Sequence, residues 1–134
     1  MAICYLGIGS NLGNRQNNIK TALKKIKGLE KTKIIKSSKL IETPPVGGPS
    51  SQKKFLNAVL KVKTHLAPLS FLRALKSIEY ELGRPKRYLR NSARTIDLDI
   101  LFYGNKKINQ KELKIPHPKV FSRDFVMRPL LEVL

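Results

Sequence analysis

The chain has 134 residues, 41% of them hydrophobic, and carries 27 Lys and Arg against 9 Asp and Glu, a net charge of +18. That length and apolar content predict one globular domain over residues 1–134 and exclude a disordered chain, while the basic excess implies an anionic partner. The single cysteine, Cys4, excludes an internal disulfide and a cysteine-rich zinc site.

The apolar run from Ala2 to Ile8 is too short to span a membrane and lacks a basic start, so the sequence predicts a cytoplasmic protein. Residues 2–9 read as a buried strand near the centre of a sheet, with Cys4 as a small hydrophobe. Ser10 to Asn14 follow as a turn rich in helix-capping residues. The Gly7-x-Gly9-Ser10-Asn11 turn could bring backbone N–H groups to a ligand, although a tight strand-to-helix turn accounts for it equally. A helix then runs to about Lys27, with Ile19, Ala22, Leu23 and Ile26 at helical spacing and Gly28 as its C-terminal cap.

Lys33 to Ile41 is the next expected strand. Residues 43–51 form a Pro/Gly-rich loop, either a binding loop or a plain connector. In the strand Lys54 to Thr64, Leu56, Ala58, Leu60 and Val62 make a core face, which leaves Phe55 and Asn57 together on the other. An aromatic beside an amide suits a planar, hydrogen-bonding ligand; Phe55 could equally pack beneath the loop. Pro68 opens a helix with Leu72, Leu75, Ile78 and Leu82 as its buried stripe, Glu79 solvated beside it and Gly83 ending it.

The stretch from Arg94 to Phe102 separates charge from core most sharply. On a strand, Ile96, Leu98, Ile100 and Phe102 face inward, and Thr95, Asp97 and Asp99 face the other way. The two carboxylates then lie about 6–7 Å apart. Asp is a poor strand former, and a hard cation between two carboxylates would account for the pair, since Mg²⁺ takes one or two carboxylates with phosphate oxygens and water. The alternative is a solvated outer face of an edge strand. Arg84, Lys86, Arg87, Arg90 and Arg94 lie just upstream, an arrangement that suits a polyphosphate carried with its metal. Downstream, Ile108, Leu113 and Ile115 suggest a small hairpin. Pro116-His117-Pro118 then leads into a helical C-terminus containing Arg123, Phe125 and Arg128, broken near Pro129. The element order predicts an α+β, ferredoxin-like βαββαβ antiparallel sheet with helices packed on it and a small C-terminal hairpin and helix as an appendage.

In these motifs the chain resembles the 6-hydroxymethyl-7,8-dihydropterin pyrophosphokinase family over nearly its whole length. The resemblance rests on Gly9-Ser10-Asn11-Leu12-Gly13, Glu42-Thr43-Pro44-Pro45, Phe55-Leu56-Asn57-Ala58, Leu82-Gly83-Arg84, Arg94-Thr95-Ile96-Asp97-Leu98-Asp99-Ile100 and Ile115-Pro116-His117. It implies transfer of a pyrophosphoryl group from ATP to the pterin's hydroxymethyl oxygen in folate biosynthesis, with release of AMP. It further implies two Mg²⁺ ions on Asp97 and Asp99, which with Arg84 and Arg94 form the catalytic set. Lys86, Arg84, Arg94, Ile100, His117, Arg123 and Glu79 would bind ATP. Phe55 and Phe125 would sandwich the pterin, and Asn57 with Thr43, Pro44, Pro45 and Val46 would bind its edge. The implied partners are these two small molecules, with no nucleic acid and no membrane, bound to a monomer. Three positions depart from the family pattern: Ser92 replaces Gly or Ala, Asn91 stands where many members have Trp, and Phe55 replaces Tyr.

A rival reading is an RNA-binding module, because RNA-recognition domains share this strand order and place aromatics on the central strands. Asp97 and Asp99 on that face would repel a phosphate backbone unless loaded with metal. Among the side chains, His117 is the only well-placed candidate general base by type.

Overall fold

The computed structural model describes residues 1–44, 53–83, 95–120 and 123–134, the side chains of residues 124 and 125 excepted. Its elements are β1 (Ala2–Ser10), α1 (Arg15–Lys27), β2 (Thr32–Ser37), β3 (Ile41–Thr43), β4 (Phe55–Thr64), α2 (Pro68–Glu81), β5 (Asp97–Tyr103), the short pair β6 (Ile108–Asn109) and β7 (Lys114–Ile115), and α3 (Asp124–Val133). The main sheet runs β2-β4-β1-β5, with β3 also on β4, and each pairing is antiparallel. With β2 and β3 taken as one broken strand, this is the expected ferredoxin-like order, and β6 and β7 form the expected hairpin.

One face of the sheet holds the main core. Cys4, Leu6 and Ile8 of β1 pack with Leu56, Ala58, Leu60 and Val62 of β4 against Ile19, Ala22 and Ile26 of α1 and Phe71, Leu75 and Ile78 of α2. Burying each large side chain of this kind stabilises the fold by about 1.5–3 kcal/mol. Burial also pushes the Cys4 thiol up to about 12, which leaves it protonated and chemically quiet. The Asn14 side chain caps α1 by accepting the Asn17 N–H at 3.1 Å. Gly28 ends the helix with φ −81°, so it needs no left-handed conformation there.

The other face is only partly covered. Val59 and Leu101 pack there with Val120 and with Leu130 and Val133 of α3. Pro129 sits inside α3 rather than ending it. Proline forfeits one helical hydrogen bond, and the buried Leu130 and Val133 that follow it hold the helix against β4. Among the described residues, no helix is long and apolar enough to cross a membrane.

Three further expectations are corrected. The strand expected over residues 33–41 is interrupted at residues 38–40. There the Ser38 hydroxyl accepts the Val59 N–H at 2.8 Å, and the Ser38 N–H donates to the Val59 carbonyl at 2.9 Å. In α2 the fully buried apolar residues are Phe71, Leu75 and Ile78, while Leu72 and the C-cap Leu82 are only half-buried. Strict alternation fails in β5: Ile100 pairs with Leu6 but Phe102 with Tyr5, so Leu101 is an extra residue. That bulge turns Leu101 and Phe102 toward the α3 side and returns Tyr103 to the main core.

Candidate active site

The partly covered face contains a cavity whose floor is β1. Gly9 of β1 pairs with Asp97 on one side and Asn57 on the other, and Gly7 pairs with Asp99 and Val59. Paired residues share a face, so the acids and the amide flank a floor without side chains. Asp97, Asp99, Phe55, Asn57, Thr43 and Pro44 all line this cavity. A Cβ built on Gly9 would lie 2.7 Å from Asn57 Oδ1, so glycine is what lets the amide cross the strand. The Asn57 amide N–H₂ donates to Thr43 Oγ1 at 2.6 Å, which fixes its orientation from β3.

The opposite wall comes from the segment after the hairpin, where His117, Lys119, Val120, Arg123 and Val126 line the cavity. A cis peptide bond joins Ile115 to Pro116, and the His117 N–H donates to the Leu101 carbonyl at 2.9 Å. His117 Nδ1 accepts the Lys119 N–H at 3.2 Å. A neutral imidazole with Nδ1 accepting carries its proton on Nε2 and is a donor there. Burial lowers the pKa of His117 below 6.5, Arg123 and Lys119 add to this, and only Asp97 opposes it. The ring is therefore held neutral near pH 7.

Glu79 was expected to be solvated, or to bind ATP, but it is 1% exposed. One carboxylate oxygen accepts the Leu98 N–H at 2.8 Å, and the other pairs with Lys76 Nζ at 3.2 Å. Leu98 lies between the two cavity-facing aspartates, so Glu79 anchors the strand that carries them. A buried carboxylate is tolerated because it is paired and hydrogen-bonded. Burial would lower the Lys76 pKa, yet the negative charges of Glu79, Asp99 and Asp97 outweigh it and hold the ammonium above its ordinary value.

Among the expected site residues, Thr43, Pro44, Phe55, Asn57, Asp97, Asp99, His117 and Arg123 meet at this cavity. Ile100 does not: it is 3% exposed in the main core, so its side chain faces away from the ligand space. Pro45, Val46, Arg84, Lys86, Arg94 and the Phe125 side chain lie outside the described residues. The sequence reading missed Gly7 and Gly9 as a floor, since both lie within β1 rather than in a turn. It also missed Lys76, whose signal was its i,i+3 spacing to Glu79.

Comparison with known proteins agrees with this geometry. A family model described as 7,8-dihydro-6-hydroxymethylpterin-pyrophosphokinase matches residues 5–134. A folic acid synthesis protein of Pneumocystis carinii is 48% identical over 131 residues, covering 96% of this chain but only 17% of its own length. The 2-amino-4-hydroxy-6-hydroxymethyldihydropteridine pyrophosphokinase of Haemophilus influenzae is 41% identical over 133 residues, covering 99% of this chain and 82% of that protein. A crystal structure of an HPPK-DHPS protein in complex with substrates superposes with a TM-score of 0.69 over 98% of this chain and 40% of that one. At 18% identity, the superposition speaks to the fold alone.

Proposed function

This chain belongs to the 7,8-dihydro-6-hydroxymethylpterin-pyrophosphokinase family, and we propose that it transfers a pyrophosphoryl group from ATP to the hydroxymethyl oxygen of 6-hydroxymethyl-7,8-dihydropterin, releasing AMP. The observation that carries this reading is the shared cavity. Two carboxylates stand at one side of a side-chain-free floor, and an oriented amide beside an aromatic stands at the other. The first arrangement suits a metal-bound polyphosphate and the second a planar heterocycle.

The donor set fits Mg²⁺, a hard cation that asks for no more than one or two protein carboxylates. Among the described residues no group of three or more His, Cys, Asp or Glu could hold a metal, so the fit rests on the Asp97 and Asp99 pair. When bound there, two Mg²⁺ ions would neutralise phosphate charge and lower the pKa of the acceptor hydroxyl.

The protein's own groups do the positioning. Asn57, held by Thr43, presents its remaining amide donor and acceptor to the pterin edge, and Phe55 with Phe125 stacks on the ring. His117 donates Nε2–H, and Arg123 its guanidinium, to phosphate oxygens. Arg84, Lys86 and Arg94 complete the phosphate cradle. A neutral His117 whose Nδ1 is occupied acts as a donor and not as a base. Phosphoryl transfer depends mainly on such placement and charge stabilisation.

The test is product analysis with ATP, Mg²⁺ and the pterin alcohol. AMP and the pterin diphosphate should form in equal amounts. AMP release that ignores the pterin, or release of ADP instead, refutes the reading.

A further inference from the structure

The half of the same sheet face that lies away from the cavity is organised quite differently. Lys33 of β2 pairs directly with Lys63 of β4, and Lys36 pairs with Lys61. On β1, Ile3 stands opposite Lys63 and Tyr5 opposite Lys61, and Tyr5 in turn pairs with Phe102 of β5. One continuous row therefore reads Lys36, Lys61, Tyr5, Phe102 across four strands, with Lys33 and Lys63 in the row beside it. The register puts these side chains on the face opposite Leu60 and Val62, which point into the main core.

Directly opposed like charges on a sheet destabilise it, and two such pairs stand side by side here. Among the described residues, none of the four lysines forms a salt bridge; the three ion pairs present involve Arg15, Lys25 and Lys76. Lys61 Nζ lies 6.0 Å from the centre of the Tyr5 ring. Tyr5 and Phe102 meet edge to face at 6.2 Å, half-buried against the end of the α3 cluster. Lys61 and Lys63 stand two and four residues along β4 from Val59, the last β4 residue lining the cavity, about 7–13 Å beyond its edge.

We propose that this half of the sheet is a binding surface for a single-stranded nucleic acid, with Lys33, Lys36, Lys61 and Lys63 pairing with backbone phosphates and the Tyr5–Phe102 pair offering an edge for a base. A row of cations beside half-exposed aromatics on a partly covered sheet face is the chemistry that single strands recognise, and it requires no sequence readout. A duplex would present its phosphates to the lysines but no free base to the rings. An acidic polypeptide would satisfy the lysines and leave the rings unused. The assignment reverses the expectation of no nucleic-acid partner, and it does so for a part of the face that the aspartates do not occupy.

The test uses the whole chain and a fluorescein-labelled oligouridylate of about twenty nucleotides. The wild type should bind with log affinity falling against log salt at a slope of about −3, the value for four phosphates paired on a single strand. Lys33→Gln, Lys36→Gln, Lys61→Gln and Lys63→Gln combined should cost at least tenfold in affinity and flatten that slope. A control with Lys20, Lys24, Lys27 and Lys111 changed to Gln, equal in charge, should stay within about threefold of wild type. Tyr5→Leu alone should lose about fivefold or more. Without oligonucleotide, the four-lysine variant should melt higher than wild type, because the opposed charges are gone. AMP release by that variant should match wild type within twofold.

Equal losses in the control variant would reduce the effect to net charge and overturn the proposal. So would tighter binding of a duplex of the same length, or equal competition by polyglutamate. A fall in AMP release that parallels the lost binding would place these lysines in the catalytic site and overturn a separate surface.

Discussion

Gly9→Ala tests the floor of the cavity most directly. The added methyl would stand 2.7 Å from Asn57 Oδ1 and 3.5 Å from Phe55 Cδ1. Ordinary non-bonded separations are about 3.5–4.0 Å, so the amide must retreat by roughly 0.7 Å or more. It cannot do so freely, because its nitrogen is bound to Thr43 Oγ1 at 2.6 Å and its backbone is paired on both sides, to Gly9 and Ile41. Retreat therefore breaks the Thr43 bond and misaligns the amide positions left for a ligand. Loss of an aligned, desolvated amide costs about 1–3 kcal/mol, which raises the pterin Kd about 5- to 150-fold. The nucleotide is expected to keep its affinity within about twofold, since Asp97 lies on the other side of Gly9. Titration calorimetry with the pterin and with MgATP separately reads both numbers, and a melting curve checks the fold. Pterin binding within twofold of wild type, or equal weakening of both ligands, refutes the reasoning.

Asp97→Asn and Asp99→Asn should each nearly abolish AMP release while leaving the melting temperature within a few degrees; activity within a few-fold of wild type at saturating Mg²⁺ removes the metal assignment. Glu79→Leu should leave the Leu98 N–H unsatisfied and cost about 1–3 kcal/mol of stability, read by urea denaturation, with an unchanged midpoint counting against the anchor. His117 has a native pKa below its unfolded value of 6.5, so the unfolded chain binds more protons and native stability falls as pH drops through that value. His117→Gln should flatten that part of the stability–pH curve, and an unaltered slope between pH 7 and the lowered pKa contradicts the buried, neutral ring.

What the sequence showed and what it hid have separate physical causes. Asp97 and Asp99, Phe55 and Asn57 were legible because each pair sits two residues apart on a strand, and alternation alone places its members on one face. Alternation cannot register an inserted residue, so the reading carried Phe102 to the core, whereas the bulge at Leu101 turns it out. Glu79 looked solvated because a helical wheel shows its neighbours on α2 but not the backbone N–H of Leu98 reaching in from another element. The interruption at residues 38–40 depends on a hydroxyl meeting the Val59 N–H across the sheet, a contact without local signature. Gly7 and Gly9 were visible as letters, but their use as a floor needed the register that sets them between acid and amide.

The outer rim of β5 has a consequence for solubility. This strand ends the sheet, and an open rim of backbone donors and acceptors is a template for another chain's strand. Here the Leu98 N–H is covered by the Glu79 carboxylate, and the Leu101 carbonyl by the His117 N–H. The stoppers that keep a second copy from adding a strand are thus set by the anchor of the aspartate strand and by the wall of the cavity. Variants that disturb either one should be recovered in inclusion bodies more often than variants of similar burial in α1, so that damage to catalysis and a tendency to aggregate travel together in this fold.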